Sequence, residues 1–140
     1  MILPIPQEYW NNVTQHFGVP NDWYQSGTHN GTDFSCPVGT PIVAPCDGEI
    51  IHRYTNHPTM GKCVYFSTLE GHYMRFMHLS EASVQGKYKQ GEQIGKTGNS
   101  GLSTGEHLHI DVWACPINTA LIKTRAGVYK YMVDPITFFV

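Results

Sequence analysis

Short apolar runs with a strand-like pattern recur along this chain, and in one of them apolar and polar residues alternate with a period of two. In "HLHIDVW" (107–113), Leu108, Ile110 and Val112 fall on one face and His107, His109 and Asp111 on the other. Period two is the signature of a β-strand, whose successive side chains point to opposite faces. Comparable runs are "VTQHF" (13–17), "TDFSC" (32–36), "PIVAP" (41–45), "GEIIHRY" (48–54), "KCVYFST" (62–68), "HYMRFMHL" (72–79) and "EQIGKT" (92–97). Turn signals such as "CDG", "LEG", "GNSG" and "STG" separate them. Short strands at this spacing predict an all-β sandwich or barrel. Helical periodicity is scarce, and the one short candidate lies near Gln7–Asn11. Residues 114–132 carry the weakest pattern and read as a long excursion before a final strand near "DPITFFV" (134–140).

Length and charge narrow the function classes. A chain of 140 residues fits one domain, taken here as 1–140, and can bury a core without staples. The net charge of −2 comes with no basic block, which argues against a nucleic-acid partner. No apolar run is long enough for a transmembrane helix. The start, "MILPIPQEYW", lacks the basic and long apolar regions of a signal peptide. Cys36, Cys46, Cys63 and Cys115 permit two disulfides, but there is no CxxC pair. Free, buried thiols acting as small hydrophobes are expected, as in a chain made in a reducing compartment.

Two stretches carry candidate chemistry. A strand over 107–113 would point the imidazoles of His107 and His109 the same way, roughly 6.5–7 Å apart. In "THNGTDFS" (28–35), His29 and Asp33 are four apart with Gly31 between them, so a turn entering a strand could bring imidazole and carboxylate together. Nitrogen and oxygen donors suit Zn²⁺, and three protein ligands leave one position open for water, as in catalytic zinc sites. The third ligand would come from the His107/His109 strand. Taken alone, His-x3-Asp usually marks a surface turn and "MHLS" (77–80) says almost nothing; their combination in one small β domain is the informative feature. His16, His52, His57 and His72 lack such a pattern, with His52 and His57 candidates for the rim of a groove.

The ordered set "HNGTD … GTPIVAPCDGEI … FMHLS … GEQIGKTGNSGLSTGEHLHIDV … DP" resembles the lysostaphin-type (LytM-like) zinc endopeptidases from about Val13 to Val140. "APCDGEI" alone would also fit biotinyl carriers and a glucose phosphocarrier. The resemblance implies a mainly β, compact antiparallel sheet or barrel-like domain of the duplicated hybrid type, with an open groove. It implies hydrolysis of peptide bonds, stem or cross-bridge, in bacterial peptidoglycan. Position by position, it makes His29, Asp33 and His109 the ligands of one Zn²⁺ per chain, and His78 and His107 the two catalytic histidines. Zinc would bring the pKa of its water to about 7 and polarise the carbonyl, while the histidines handle protons and charge. No HExxH helix offers a glutamate base. Tyr24 is a candidate oxyanion donor, set against ordinary packing. Glu106 stands where the family often has proline, and strand alternation points it away from the site. The segments 19–28, 52–61 and 98–105 are the expected groove loops.

An inactive relative serving as a scaffold or cell-wall-binding module is the alternative, and it loses weight because all five residues are present. A phosphocarrier ranks last, since it does not call for His29 and Asp33 as ligands. The expected partner is peptidoglycan peptide, with no membrane span and the chain a monomer. A catalytic domain with no signal or wall-binding module resembles a phage lysis or virion enzyme, an antimicrobial endolysin made in a host cytoplasm. A piece of a larger exported protein that acts at the cell wall would look the same.

Overall fold

The computed structural model describes residues 1–139. In chain order the elements are α1 (Gln7–Trp10), β1 (Val13–Gln15), β2 (Thr32–Phe34), β3 (Pro41–Val43), β4 (Gly48–His57), β5 (Gly61–Thr68), β6 (Tyr73–Leu79), β7 (Glu81–Ala82), β8 (Gly86–Tyr88), β9 (Gln93–Lys96) and β10 (Leu108–Trp113). A 3-10 turn (Thr119–Ile122), α2 (Arg125–Tyr131), β11 (Met132–Val133) and α3 (Pro135–Phe138) follow. One antiparallel sheet runs β1-β2-β10-β6-β5-β4-β8, with β11 pairing the end of β10. A second, three-stranded sheet runs β3-β9-β7.

The alternation read along the chain is realised in the packing. Leu108, Ile110 and Val112 of β10 join Met74 and Phe76 of β6, Val64 and Phe66 of β5 and Ile42 of β3 in the main core. That core reaches from Ile5 to Phe139 and so draws on nearly the whole chain. The opposite face of β10 is not a solvated polar face: His109, Asp111 and Trp113 are all buried. Both faces of this central strand are covered, and its polar residues must find partners inside the protein. All four cysteines are free; Cys36 and Cys63 are buried as expected, whereas Cys46 and Cys115 are only half-buried. Burial pushes the Cys63 thiol up to about 12, which keeps it protonated and inert.

Two expectations near the C-terminus change. The excursion over 114–132 is structured around its own small core of Trp113, Ile122, Val128 and Met132. The Thr124 side chain caps α2 by accepting from the Gly127 N–H at 3.1 Å. Gly127 lies so close to the backbone of Leu121 that any Cβ there would collide with its carbonyl oxygen. Both helical pieces are too short to show periodicity in sequence. The final strand expected near 134–140 is instead α3; Val140 lies outside the described residues. Asp134 accepts from the Ile136 N–H at 2.9 Å and Pro135 occupies the first turn. Asp-Pro is a helix start, and these local signals override the β propensity of the apolar run behind them. Among the described residues no helix is long and apolar enough to cross a membrane.

Candidate active site

The centre of the site is a register effect. Strands β2 and β10 are antiparallel neighbours in which His109 faces Asp33 directly. The pairing sets His109 Nδ1 2.9 Å from Asp33 Oδ1. His29, four residues before Asp33, comes back over the same point, with its Nε2 3.3 Å from that oxygen. The turn between them works because residue 31 is glycine. A Cβ at Gly31 would meet the Ile110 carbonyl oxygen and lie 2.7 Å from His109 Nε2. His29, Asp33 and His109 each offer one donor atom, all within 4.8 Å of one another.

The donor set fits a metal ion by its hydrogen bonding. His29 Nδ1 lies 3.1 Å from the His16 carbonyl oxygen. A carbonyl only accepts, so Nδ1 carries the proton and Nε2 presents its lone pair. That Nε2 is buried and has no hydrogen-bond partner. An orphaned buried acceptor next to a carboxylate is costly unless something cationic sits between them. Burial acts to raise the Asp33 pKa, but the His109 hydrogen bond and nearby His29 hold it far below the ordinary carboxylate range. The carboxylate is therefore anionic and available. Burial likewise disfavours charge on His109, yet its bonds to Asp111 and Asp33 outweigh that and raise its pKa to about 9. A cation taking the place of the Nδ1 proton would exploit the same attraction.

His78 and His107 stand beside this cluster with their rings 4.7 Å apart. Simple alternation along β6 would bury His78 with Met74 and Phe76. The strand avoids this with a bulge: Val64 pairs with Phe76 but Lys62 pairs with Leu79, so β6 holds one extra residue. His78 takes φ of 64°, a left-handed conformation uncommon for any residue but glycine. The bulge turns His78 out of the core and returns Leu79 to it. Strain of this kind persists where surrounding structure holds it, often at functional sites. Here the His78 N–H donates to the Met60 carbonyl at 2.9 Å.

Both rings are pinned through Nδ1. His78 Nδ1 donates to the Ser100 carbonyl at 2.8 Å, and His107 Nδ1 to the Gly105 carbonyl at 2.9 Å with the Ser103 hydroxyl at 3.0 Å. In each the Nε2 lone pair is left free. Burial lowers the His78 pKa to about 4, so its ring is neutral at pH 7.

His78, His107 and Asp33 open onto a cavity of about 410 Å³ whose rim includes exposed Trp23 and Leu102. Tyr24 belongs to this cavity and to a second of about 430 Å³ lined by Tyr54, His57, Tyr65 and Lys123. The Tyr24 ring packs 5.3 Å from that of His29, and burial raises the pKa of its hydroxyl. The three expected groove segments all contribute, and the 114–132 excursion adds a wall through Thr119 and Ile122. Glu106 is exposed.

Sequence reasoning missed the support beneath His109. Asp111 Oδ2 lies 3.0 Å from His109 Nε2 and 2.9 Å from Arg75 Nη2. Burial would raise the Asp111 pKa, but the Arg75 charge and the His109 bond hold it at about 2. A signal was present: Arg75 sits inside the apolar run "HYMRFMHL" and Asp111 inside "HIDVW", and charges buried in core strands need partners.

Fold and site together define a β-rich domain with a candidate metal centre. The sequence matches the model of peptidase family M23 over residues 27–123, a span holding all five candidate residues, and the chain belongs to that family. It is 40% identical over 86 residues to the peptidoglycan DD-endopeptidase ShyA of Vibrio cholerae, covering 60% of this chain and 20% of that one. A zinc containing peptidase from Vibrio cholerae has a similar structure, with a TM-score of 0.69 and 30% identity over 79% of this chain and 35% of that one. The catalytic domain of the antimicrobial peptidase lysostaphin from Staphylococcus simulans gives a TM-score of 0.76 at 26% identity, over 96% of this chain and 98% of that domain.

Proposed function

We propose that this chain is a zinc-dependent endopeptidase that cuts peptide bonds in bacterial peptidoglycan. One observation carries the reading. The orphaned Nε2 of His29, Nδ1 of His109 and the Asp33 carboxylate converge on one point, with two imidazoles of free Nε2 alongside. His29, Asp33 and His109 would hold one zinc ion per chain. Bound there, zinc makes water nucleophilic near neutral pH and polarises a carbonyl.

This chain's own residues do the rest. A peptide lying through the open groove would be gripped by the 19–28 and 98–105 segments and by the Tyr54 and Tyr65 region. His78 and His107 share the proton handling. A free Nε2 accepts the proton of the attacking water and later delivers it to the leaving amine. The neutral ring of His78 suits the accepting part. The protonated Tyr24 hydroxyl adds a donor at the same mouth. The support for peptidoglycan as substrate is the similarity to ShyA, a peptidoglycan DD-endopeptidase by name. The support for a single peptidase domain over 1–140 is the continuous core from Ile5 to Phe139. An inactive scaffold would have no use for two pinned imidazoles beside a complete ligand set.

Digestion of purified sacculi from several cell-wall chemotypes tests the reading. New free amines should appear without new reducing ends, and a chelator should stop their release. Mass spectrometry of the fragments identifies the bond. A sugar hydrolase would normally require two carboxylates flanking the bond, and this site offers Asp33 alone. New reducing ends without amines would overturn the peptidase reading, and zinc-loaded protein inert on every sacculus would favour the scaffold.

A further inference from the structure

We infer that Asp111 and Arg75 form a positioning pair that fixes the tautomer of His109 and so presents its Nδ1, rather than its Nε2, to the metal. The inference rests on the reading of His109 as a ligand and extends it to two residues with no contact with the metal-binding point.

Strands β10 and β6 place Asp111 directly opposite Arg75. Arg75 Nε donates to Asp111 Oδ1 at 2.9 Å, and Nη2 donates to Oδ2 at 2.9 Å, a two-pronged grip. Trp113 Nε1 donates to Oδ1 at 2.9 Å. His109 Nε2 approaches Oδ2 at 3.0 Å. Arg75 is 4% exposed and Asp111 0%, so neither serves a surface role.

The tautomer follows from this inventory. Every fixed neighbour of the Asp111 carboxylate is an N–H donor, so the carboxylate is anionic and acceptor-only. His109 Nε2 must therefore carry a proton to make its bond. A neutral imidazole has only one, which leaves the Nδ1 lone pair free. Nδ1 is the nitrogen that faces Asp33. Arg75 makes the arrangement tolerable, because an unpaired buried carboxylate would be strongly unfavourable. The planar fork also fixes the carboxylate in the plane that His109 requires. A purely structural ion pair would be complete with Arg75 and Trp113 alone. The third donor on Asp111 links the pair to the site.

The test uses the whole chain with zinc. In ¹⁵N-labelled, zinc-loaded wild type, imidazole nitrogen shifts should show His109 protonated at Nε2 and coordinated through Nδ1. Zinc affinity, measured by competition with a chromophoric chelator, should fall about 10–100-fold in Asp111→Asn. The Asn amide must turn its NH₂ towards one of the converging donors. Where it faces His109, Nε2 becomes the acceptor and Nδ1 takes the proton. Arg75→Lys keeps the charge but loses the fork, and should weaken zinc binding in the same direction by less. Thermal melts of the chelator-treated proteins separate this from folding, because a merely structural pair would lower the melt without a matching loss of zinc affinity in the folded variant. Coordination through Nε2, or wild-type zinc affinity in folded Asp111→Asn, would overturn the inference while leaving His109 as a ligand. Should Asp111→Asn fail to fold, the wild-type nitrogen shifts alone decide. A wild type that takes up no zinc would overturn the ligand reading and this inference together.

Discussion

His109 and Asp33 touch because they are direct partners across the antiparallel β2–β10 pair, which sets Nδ1 and Oδ1 2.9 Å apart. Residues 76 positions apart in sequence thus meet on the sheet, and His29 closes over them from the preceding turn. A strand pair is a rigid platform, and a site built on it needs little ordering when a ligand arrives. Each of His29→Ala, Asp33→Ala and His109→Ala should bring zinc well below one per chain. Elemental analysis after dialysis against buffered zinc measures it. Full occupancy in all three variants would rule out the assignment.

Binding and catalysis should separate. His78 and His107 contribute a free Nε2 each and no donor to the metal-sized cluster. His78→Ala and His107→Ala should keep zinc and lose activity by about 10²–10⁴-fold, the usual range for lost proton transfer or charge stabilisation. Initial rates of amine release from sacculi, with zinc content measured on the same samples, provide the check. Normal turnover by either variant removes that residue from the mechanism.

Much of this was legible in the sequence. Alternation located the strands that build the site, and the motif residues His29, Asp33, His78, His107 and His109 do come together. Three things were not legible, each for a physical reason. The orientation of His78 depends on a bulge and a left-handed φ, and period two alone assigns that residue to the core. The partner of Asp111 depends on which strand lies beside β10: a charge inside a core strand signals that a partner is needed, but a long-range pairing has no local signal of which one. The helix α3 was hidden because an apolar run has the same composition in a short helix as in a buried strand. Only Asp134 and Pro135 distinguish the two.

Acid should weaken the fold partly through His78. Burial holds this ring neutral down to about pH 4, whereas it takes its proton near 6.5 when unperturbed. Between those values the unfolded chain binds more protons than the native one, so this contribution to stability is lost as pH falls from 6.5 towards 4. His78→Asn removes the titrating group, and asparagine tolerates the left-handed backbone. Urea midpoints at several pH values in chelator should fall less steeply in the variant than in the wild type. Identical slopes would mean that His78 titrates normally in the folded protein.

Gly31→Ala should injure both the fold and the metal site. Its Cβ would press on the Ile110 carbonyl oxygen and lie 2.7 Å from His109 Nε2 and 2.8 Å from Cε1. The backbone of β10 is held on both sides by β2 and β6 and cannot give way. Relief must come from the turn carrying His29 or from the His109 ring, and either motion pulls donor atoms off the common point. Overpacking of this kind typically costs about 1–3 kcal/mol. The variant should unfold at lower urea in the presence of chelator and bind zinc more weakly once folded, whereas Gly27→Ala, where a Cβ would meet nothing within 4 Å, should leave zinc affinity intact and suffer only the strain of a φ of 72°. Equal zinc affinity in Gly31→Ala and wild type would show that His109 can move without consequence, and that the close approach at residue 31 does not position the site.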